Sequence, residues 1–174
     1  MRWSARSSVS NRHSLTGSVI RRGTAVADSA MREFEINDRY TVSDAGIALR
    51  ADSLTELFIA GAEGMFAIIL GDRPPKPETE SHDVQLHADT PEQLMIDWLS
   101  ELLYEFDTDG LIPVHFDVSV SRSDNESHLS GTISYRRYDR ERDNAEHEIK
   151  AVTYYKINIK KDGDVYRCDV VFDL

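Results

Sequence analysis

The sequence predicts an α+β domain in which two amphipathic helices pack on mostly antiparallel β-sheet. Three features point to this class. Two apolar stripes with helical spacing each begin at a capping box. Two pairs of alternating segments in the second half are joined by short turns. Single alternating segments precede and separate the helices. The order is strand–helix–strand, then helix–hairpin–hairpin, compatible with a βαββ unit used twice.

The elements follow in chain order. Phe34 and Ile36 alternate with charged neighbours and read as a short strand. Ile47, Leu49 and Ala51 alternate with Ala48 and Arg50 as a half-buried strand, entered through Asp44 and Gly46, a combination suited to an Asx turn. Ser53 with Glu56 forms a capping box. Leu54, Leu57, Phe58, Met65, Phe66 and Ile69 then follow a helical stripe that stops before Gly71. A proline-rich loop over 72–82 leads to alternating Val84, Leu86 and Ala88. Thr90-Pro91-Glu92-Gln93 opens the second helix, whose stripe runs Leu94, Trp98, Leu102, Phe106. Val114 to Val120 and Leu129 to Tyr135 alternate around Ser123-Asp124-Asn125-Glu126 as a hairpin. Residues 136–147 are rich in Arg, Asp and Glu and read as a solvated, mobile loop. Glu148–Ile159 and Val165–Leu174 read as a closing pair of strands joined through Asp162-Gly163.

The charge is unevenly spread over the 174 residues, whose formal net charge is −11. Residues 1–30 carry five arginines and one acid, and the remainder carries fifteen basic and thirty acidic residues. The first thirty residues therefore read as a disordered or non-native extension, and 31–174 as a single domain. The Arg- and Ser-rich, acid-poor leader also has the composition of an organelle transit peptide. An acidic domain is poorly suited to holding nucleic acid by phosphate neutralisation. No apolar run reaches the ~18–20 residues that span a bilayer. A single cysteine, Cys168, excludes an internal disulfide and fits a reducing, cytoplasmic setting.

The chemistry on offer is oxygen chemistry. There is no Gly-rich phosphate loop, no nucleophile elbow, no His-x-x-x-His and no Cys pairing. Cys168, among alternating strand neighbours, reads as a buried structural thiol. Carboxylates without thiolate or clustered imidazole select Ca²⁺, Mg²⁺ or Mn²⁺. The chain closes in a strand, so the Asp173 carboxylate stands beside the α-carboxylate of Leu174. Two adjacent negative charges on an ordered end call for a positive partner: a lysine, an arginine or a cation.

Several segments together resemble the archease family. Glu148-Ile149-Lys150-Ala151-Val152-Thr153-Tyr154 is similar to the family's Glu-Val/Ile-Lys-Ala-Ile/Val-Thr-Tyr-His block, and Val171-Phe172-Asp173-Leu174 to its closing strand. Asp97–Asp107 resembles its second helix, and Ser43–Ile47 followed by Ser53–Phe58 its first strand and helix. The resemblance spans about residues 34–174. Three positions differ: Tyr40-Thr41 stands where the family carries an acid and a histidine, and Tyr155 where it carries a histidine. The resemblance implies a protein cofactor, not an enzyme, that assists an RtcB-type RNA-splicing ligase by promoting its guanylylation and multiple turnover. It further implies a metal site built from Asp44, Asp173 and Leu174, holding a divalent cation, Ca²⁺ first and Mg²⁺ or Mn²⁺ as alternatives. From their strand positions, Lys150 and Tyr154 read as supporting or partner-contact residues, with an exposed strand lysine as the alternative for Lys150. The expected partner is that ligase, with neither sequence-specific nucleic-acid binding nor a membrane. Two other classes compete: a divalent-metal-dependent phosphoester hydrolase using the same carboxylates, and a general chaperone-like binding module.

Overall fold

Ser53 and Thr90 open their helices as the spacing predicts. In a computed structural model of the chain, the Ser53 hydroxyl accepts from the Glu56 amide and the Thr90 hydroxyl from the Gln93 amide, each at 3.1 Å. The structure describes residues 19–22, 30–37, 44–71, 77–143 and 145–174. Helix α1 is Leu54–Leu70 and α2 is Pro91–Asp109. Both end on a glycine with positive φ, Gly71 at 60° and Gly110 at 67°, where a side chain would strain the cap. Among the described residues no helix is long and apolar enough to cross a membrane.

The two helices differ in how much of their surface they bury. From Leu57 to Leu70 every residue of α1 except Glu63 is buried. α2 keeps a polar face, with Tyr104 63% exposed. α1 is covered on several sides because it touches α2 and strands of two sheets. Trp98 of α2, fully buried, donates its indole N–H to the Phe58 carbonyl of α1 at 3.1 Å, satisfying the polar atom of the largest core side chain. Gly64 marks the closest approach. A Cβ there would lie 2.9 Å from Ile47 Cδ1 and 3.3 Å from Phe34 Cγ.

The strands are β1 Val19–Arg22, β2 Arg32–Asn37, β3 Asp44–Ala51, β4 Glu80–Ala88, β5 Leu111–Arg122, β6 Ser127–Arg137, β7 Ala151–Thr153, β8 Lys160–Asp162 and β9 Val165–Asp173. They form two antiparallel sheets. One runs β1-β2-β3-β9-β7, with β8 also on β9; the other runs β4-β6-β5. The larger sheet joins the N-terminal strands β1, β2 and β3 to the C-terminal strands β7, β8 and β9 through the β3–β9 pair. Phe34, Ile47, Leu49, Cys168, Val170 and Phe172 face the helices and are buried. Arg32 caps the edge of this layer, pairing with Glu56 at 2.7 Å and Glu63 at 3.0 Å on α1.

β1 lies inside the stretch expected to be an extension, and the rest of 1–29 lies outside the described residues. The structure departs from the sequence reading in three places. β4 begins at Glu80, earlier than the alternation of apolar residues announces, because its early positions are held by β6 rather than by core packing. The charged stretch 136–147 is not wholly solvated. Arg136 and Asp143, each with a side chain 3% exposed, form a two-pronged pair at 2.7 and 3.0 Å. Asp143 also accepts from the Asp139 amide at 2.9 Å, and its carbonyl accepts from the Tyr138 hydroxyl at 3.0 Å. Finally, the expected continuous strand 148–159 is reduced to the three residues of β7, and pairing with β9 resumes only at β8. The chain leaves β9 at Tyr154, passes Lys156 at φ 59°, and crosses the first turn of α2. There the Ile159 amide donates to Glu92 at 2.9 Å and the Tyr154 hydroxyl to Gln93 at 2.7 Å, bonds that replace part of the strand ladder.

Candidate metal centre at the end of the closing strand

Alternation along β3 and β9 decides where their carboxylates stand. Ala45, Ile47 and Leu49 of β3 face the helices, as do Phe172, Val170 and Cys168 of β9. The residues between them therefore face the other way. Asp44 and Asp173 are direct cross-strand partners, so their side chains occupy the same outer face, opposite the helices. Directly opposed residues of antiparallel strands have Cβ atoms about 4.5–5.5 Å apart. Like charges at that separation repel, and a divalent cation relieves the repulsion by accepting oxygens from both. Asp173 is exposed and Asp44 half-buried.

On its other side β9 meets β7, where Ala151 is the partner of Asp173. The residue before it, Lys150, grips the chain end twice. Its amide donates to the Asp173 carbonyl at 2.8 Å. Its ammonium donates to the Leu174 main-chain oxygen at 2.7 Å. The Leu174 side chain turns back and packs partly buried against the core. Asp44, Asp173, Leu174 and Lys150 thus meet at one corner of the larger sheet. Tyr154 does not join them. It is 60% exposed and bonded to Gln93 on α2.

The candidate donors are all oxygen: two side-chain carboxylates and the main chain of Leu174. That suits a hard cation such as Ca²⁺, Mg²⁺ or Mn²⁺ and is unsuited to a soft one. Among the described residues no three His, Cys, Asp or Glu side chains are grouped to hold a metal. A cation here would therefore need main-chain oxygen or water to complete its shell, as hard cations commonly do. Lys150 supplies one positive charge to the same corner, so the sequence-level demand for a positive partner is met in part by the protein itself.

Sequence reading missed a second polar cluster. Glu105 of α2 accepts the buried Tyr135 hydroxyl in a short contact, and His82 Nδ1 lies 3.2 Å from its other oxygen. Burial, then the bond to Glu105, pushes the Tyr135 phenol well above its usual range. Neither His82 nor Glu105 belongs to a recognisable motif; only the contact of β4, β6 and α2 joins them. Cys168 is a buried thiol, as its strand position predicts. Burial pushes it up to about 12, so it remains protonated at neutral pH.

Comparison with known proteins shows the family and the fold. A sequence profile described as the Archease protein family matches residues 34–174. Protein archease of Methanosarcina acetivorans is 34% identical over 124 residues, covering 71% of this chain and 84% of its own. The solution structure of Methanobacterium thermoautotrophicum protein 1598 superposes with a TM-score of 0.69 at 28% identity, covering 81% of this chain and 98% of that one. The crystal structure of an archease from Thermotoga maritima, described as a possible chaperone, has a TM-score of 0.52 at 22% identity, covering 79% and 98% of the two chains, and supports the fold alone.

Proposed function

Because the chain belongs to the archease protein family, we propose that it is a metal-binding protein cofactor of an RtcB-type RNA-splicing ligase, promoting the ligase's guanylylation and multiple turnover. The observation that carries this reading is the in-register pairing of Asp44 with Asp173 on the outer face, beside Leu174. Asp44, Asp173 and a main-chain oxygen of Leu174 would hold the cation, Ca²⁺ by preference and Mg²⁺ or Mn²⁺ as substitutes. When bound, it supplies a concentrated positive charge at the corner where β3, β9 and β7 meet.

The chain's own residues do the rest. Lys150 fixes the Asp173 backbone and the Leu174 oxygen, so the donors are held before the cation arrives. The register of β3 on β9 sets the spacing of the two carboxylates. Tyr154 holds the detour after β7 to α2 and belongs to the surface offered to the ligase. No residue here is assigned a catalytic step; the ligation chemistry belongs to the partner. The place of action is the cytoplasm.

The test is multiple-turnover RNA ligation by a cognate ligase with and without this protein, at fixed divalent cation. The expected result is a gain in turnover that saturates with the added protein. An unchanged rate removes the proposal. Phosphoester turnover by the protein alone with Mg²⁺ or Mn²⁺ would assign the carboxylates to hydrolysis instead.

A further inference from the structure

The outer face of the larger sheet carries a second feature, about two turns of pleat away from the Asp44–Asp173 corner. A groove of about 670 Å³ lies over β2, β3 and β9, walled on one side by the 156–160 segment. Its floor is organised in rows by the strand register. Arg50 on β3 is the direct partner of Arg167 on β9, and Arg167 is the direct partner of Lys160 on β8. Three cations thus stand side by side on three adjacent strands, flanked by one acid, Glu33, the partner of Arg50 on β2, and Lys156 lines the same groove. Like charges placed directly opposite destabilise a sheet. Among the described residues neither Arg50 nor Lys160 is in an ion pair, and the Arg167 contact with exposed Asp162 is 4.0 Å long. In a chain of net charge −11 such a row is out of keeping with the rest of the surface.

The next outward-facing row has the opposite character. Two residues along each strand, Glu35, Ala48 and Asp169 are successive partners. Two residues of antiparallel strand advance by about 6.8 Å. The groove therefore has a cationic end and, one small side chain wide at Ala48, an end lined by hydrogen-bond acceptors. A bare anion uses only the first of these. A molecule with an anionic group at one end and hydroxyl or amino donors about 7 Å away uses both, and the groove volume is within the usual ~300–1,000 Å³ of small-molecule sites.

We propose that this groove is a binding site for a phosphate ester of a hydroxylated small molecule of nucleotide size, with the phosphate on Arg50, Arg167 and Lys160 and its hydroxyl or amino groups donating to Glu35 and Asp169. Guanidinium groups suit the phosphate because they donate in a planar fork. The site is separate from the carboxylate corner and does not depend on the ligase reading.

The experiment is titration of the full chain, without added divalent cation, with AMP, ribose 5-phosphate and inorganic phosphate. Amide chemical shifts and calorimetry are the readouts. The expected result is saturable binding of AMP or ribose 5-phosphate at least tenfold tighter than inorganic phosphate, with shifts confined to residues 33–35, 48–50, 156–160 and 167–169. Preference between the two esters identifies whether the base contributes. Arg50→Ala with Arg167→Ala is expected to weaken binding at least tenfold, while Arg50→Lys with Arg167→Lys retains part of it. Glu35→Gln with Asp169→Asn is expected to lower ester affinity and leave inorganic phosphate unchanged. No binding by the wild-type chain, shifts elsewhere, or ester and inorganic phosphate binding alike would overturn the proposal. So would concentration-dependent dimerisation abolished by Arg167→Glu, which would give the face to a second copy of this chain.

Discussion

Asp44 and Asp173 are the residues on which the functional reading turns, and their pairing makes a stability prediction. In wild-type protein a saturating cation is expected to raise the melting temperature. At a hundredfold excess over the dissociation constant the linkage is about 2.7 kcal/mol, roughly 5–10 °C for a chain of this size. Asp173→Asn is expected to remove most of that gain without lowering the melting temperature in chelator, because it deletes one of two opposed charges; a thermal scan with and without Ca²⁺ checks both. Adding one residue after Leu174 turns its carboxylate into an amide and should weaken the same gain. Asp107 gives a pH prediction of opposite sign to most acids. Burial, then the nearby Glu148, raises its folded-state pKa above the unfolded value. The fold therefore favours the protonated form, and this contribution is present at low pH and lost as pH rises through the carboxylate range. Asp107→Asn should raise the melting temperature at neutral pH, and the gain should vanish near pH 3. Unequal results would be plain from paired thermal scans. At this scale the sequence was informative where chemistry is local. The Asp173–Leu174 adjacency and the buried Cys168 could be read directly. The Lys150 ammonium on Leu174 could not, because it joins residues 24 apart across a strand pair.

Among the elements, α1 tolerates least. Gly64 lets it approach β3 and β2, and Gly64→Ala would press a methyl group against Ile47 and Phe34. The expected cost is about 1–3 kcal/mol by overpacking, read from denaturant unfolding. The 136–143 turn hangs on the buried Arg136–Asp143 pair. Asp143→Ala leaves the Arg136 charge buried and unmatched and should cost about 3–5 kcal/mol, whereas a surface acid such as Asp124 changed to Ala should cost almost nothing. The helices and the central hairpin were legible because capping boxes and apolar alternation are short-range signals. Their ends extended further than the apolar pattern, since hydrogen-bonded pairing continues where burial has stopped. The break between β7 and β8 was not legible. Glu92 and Gln93 draw the chain away from β9, and nothing within residues 148–159 announces partners 67 and 61 positions earlier. The buried Arg136–Asp143 pair was hidden for a related reason: a charge-rich run reads as solvated until a bidentate partner is seen.

For the whole molecule, the larger sheet places β3 beside the last strand, β9, and that topology creates the carboxylate corner. The fold class followed from element order, but the union of Asp44 with Asp173 depended on a strand pairing across nearly the full described domain. The most direct measurement is multiple-turnover ligation by the cognate ligase with wild-type protein, Asp44→Asn and Asp173→Asn, each shown to be folded by circular dichroism. The expected result is activation by wild type, lowered at least tenfold in both variants. Full activation by either variant would contradict the claim that the paired carboxylates carry the function.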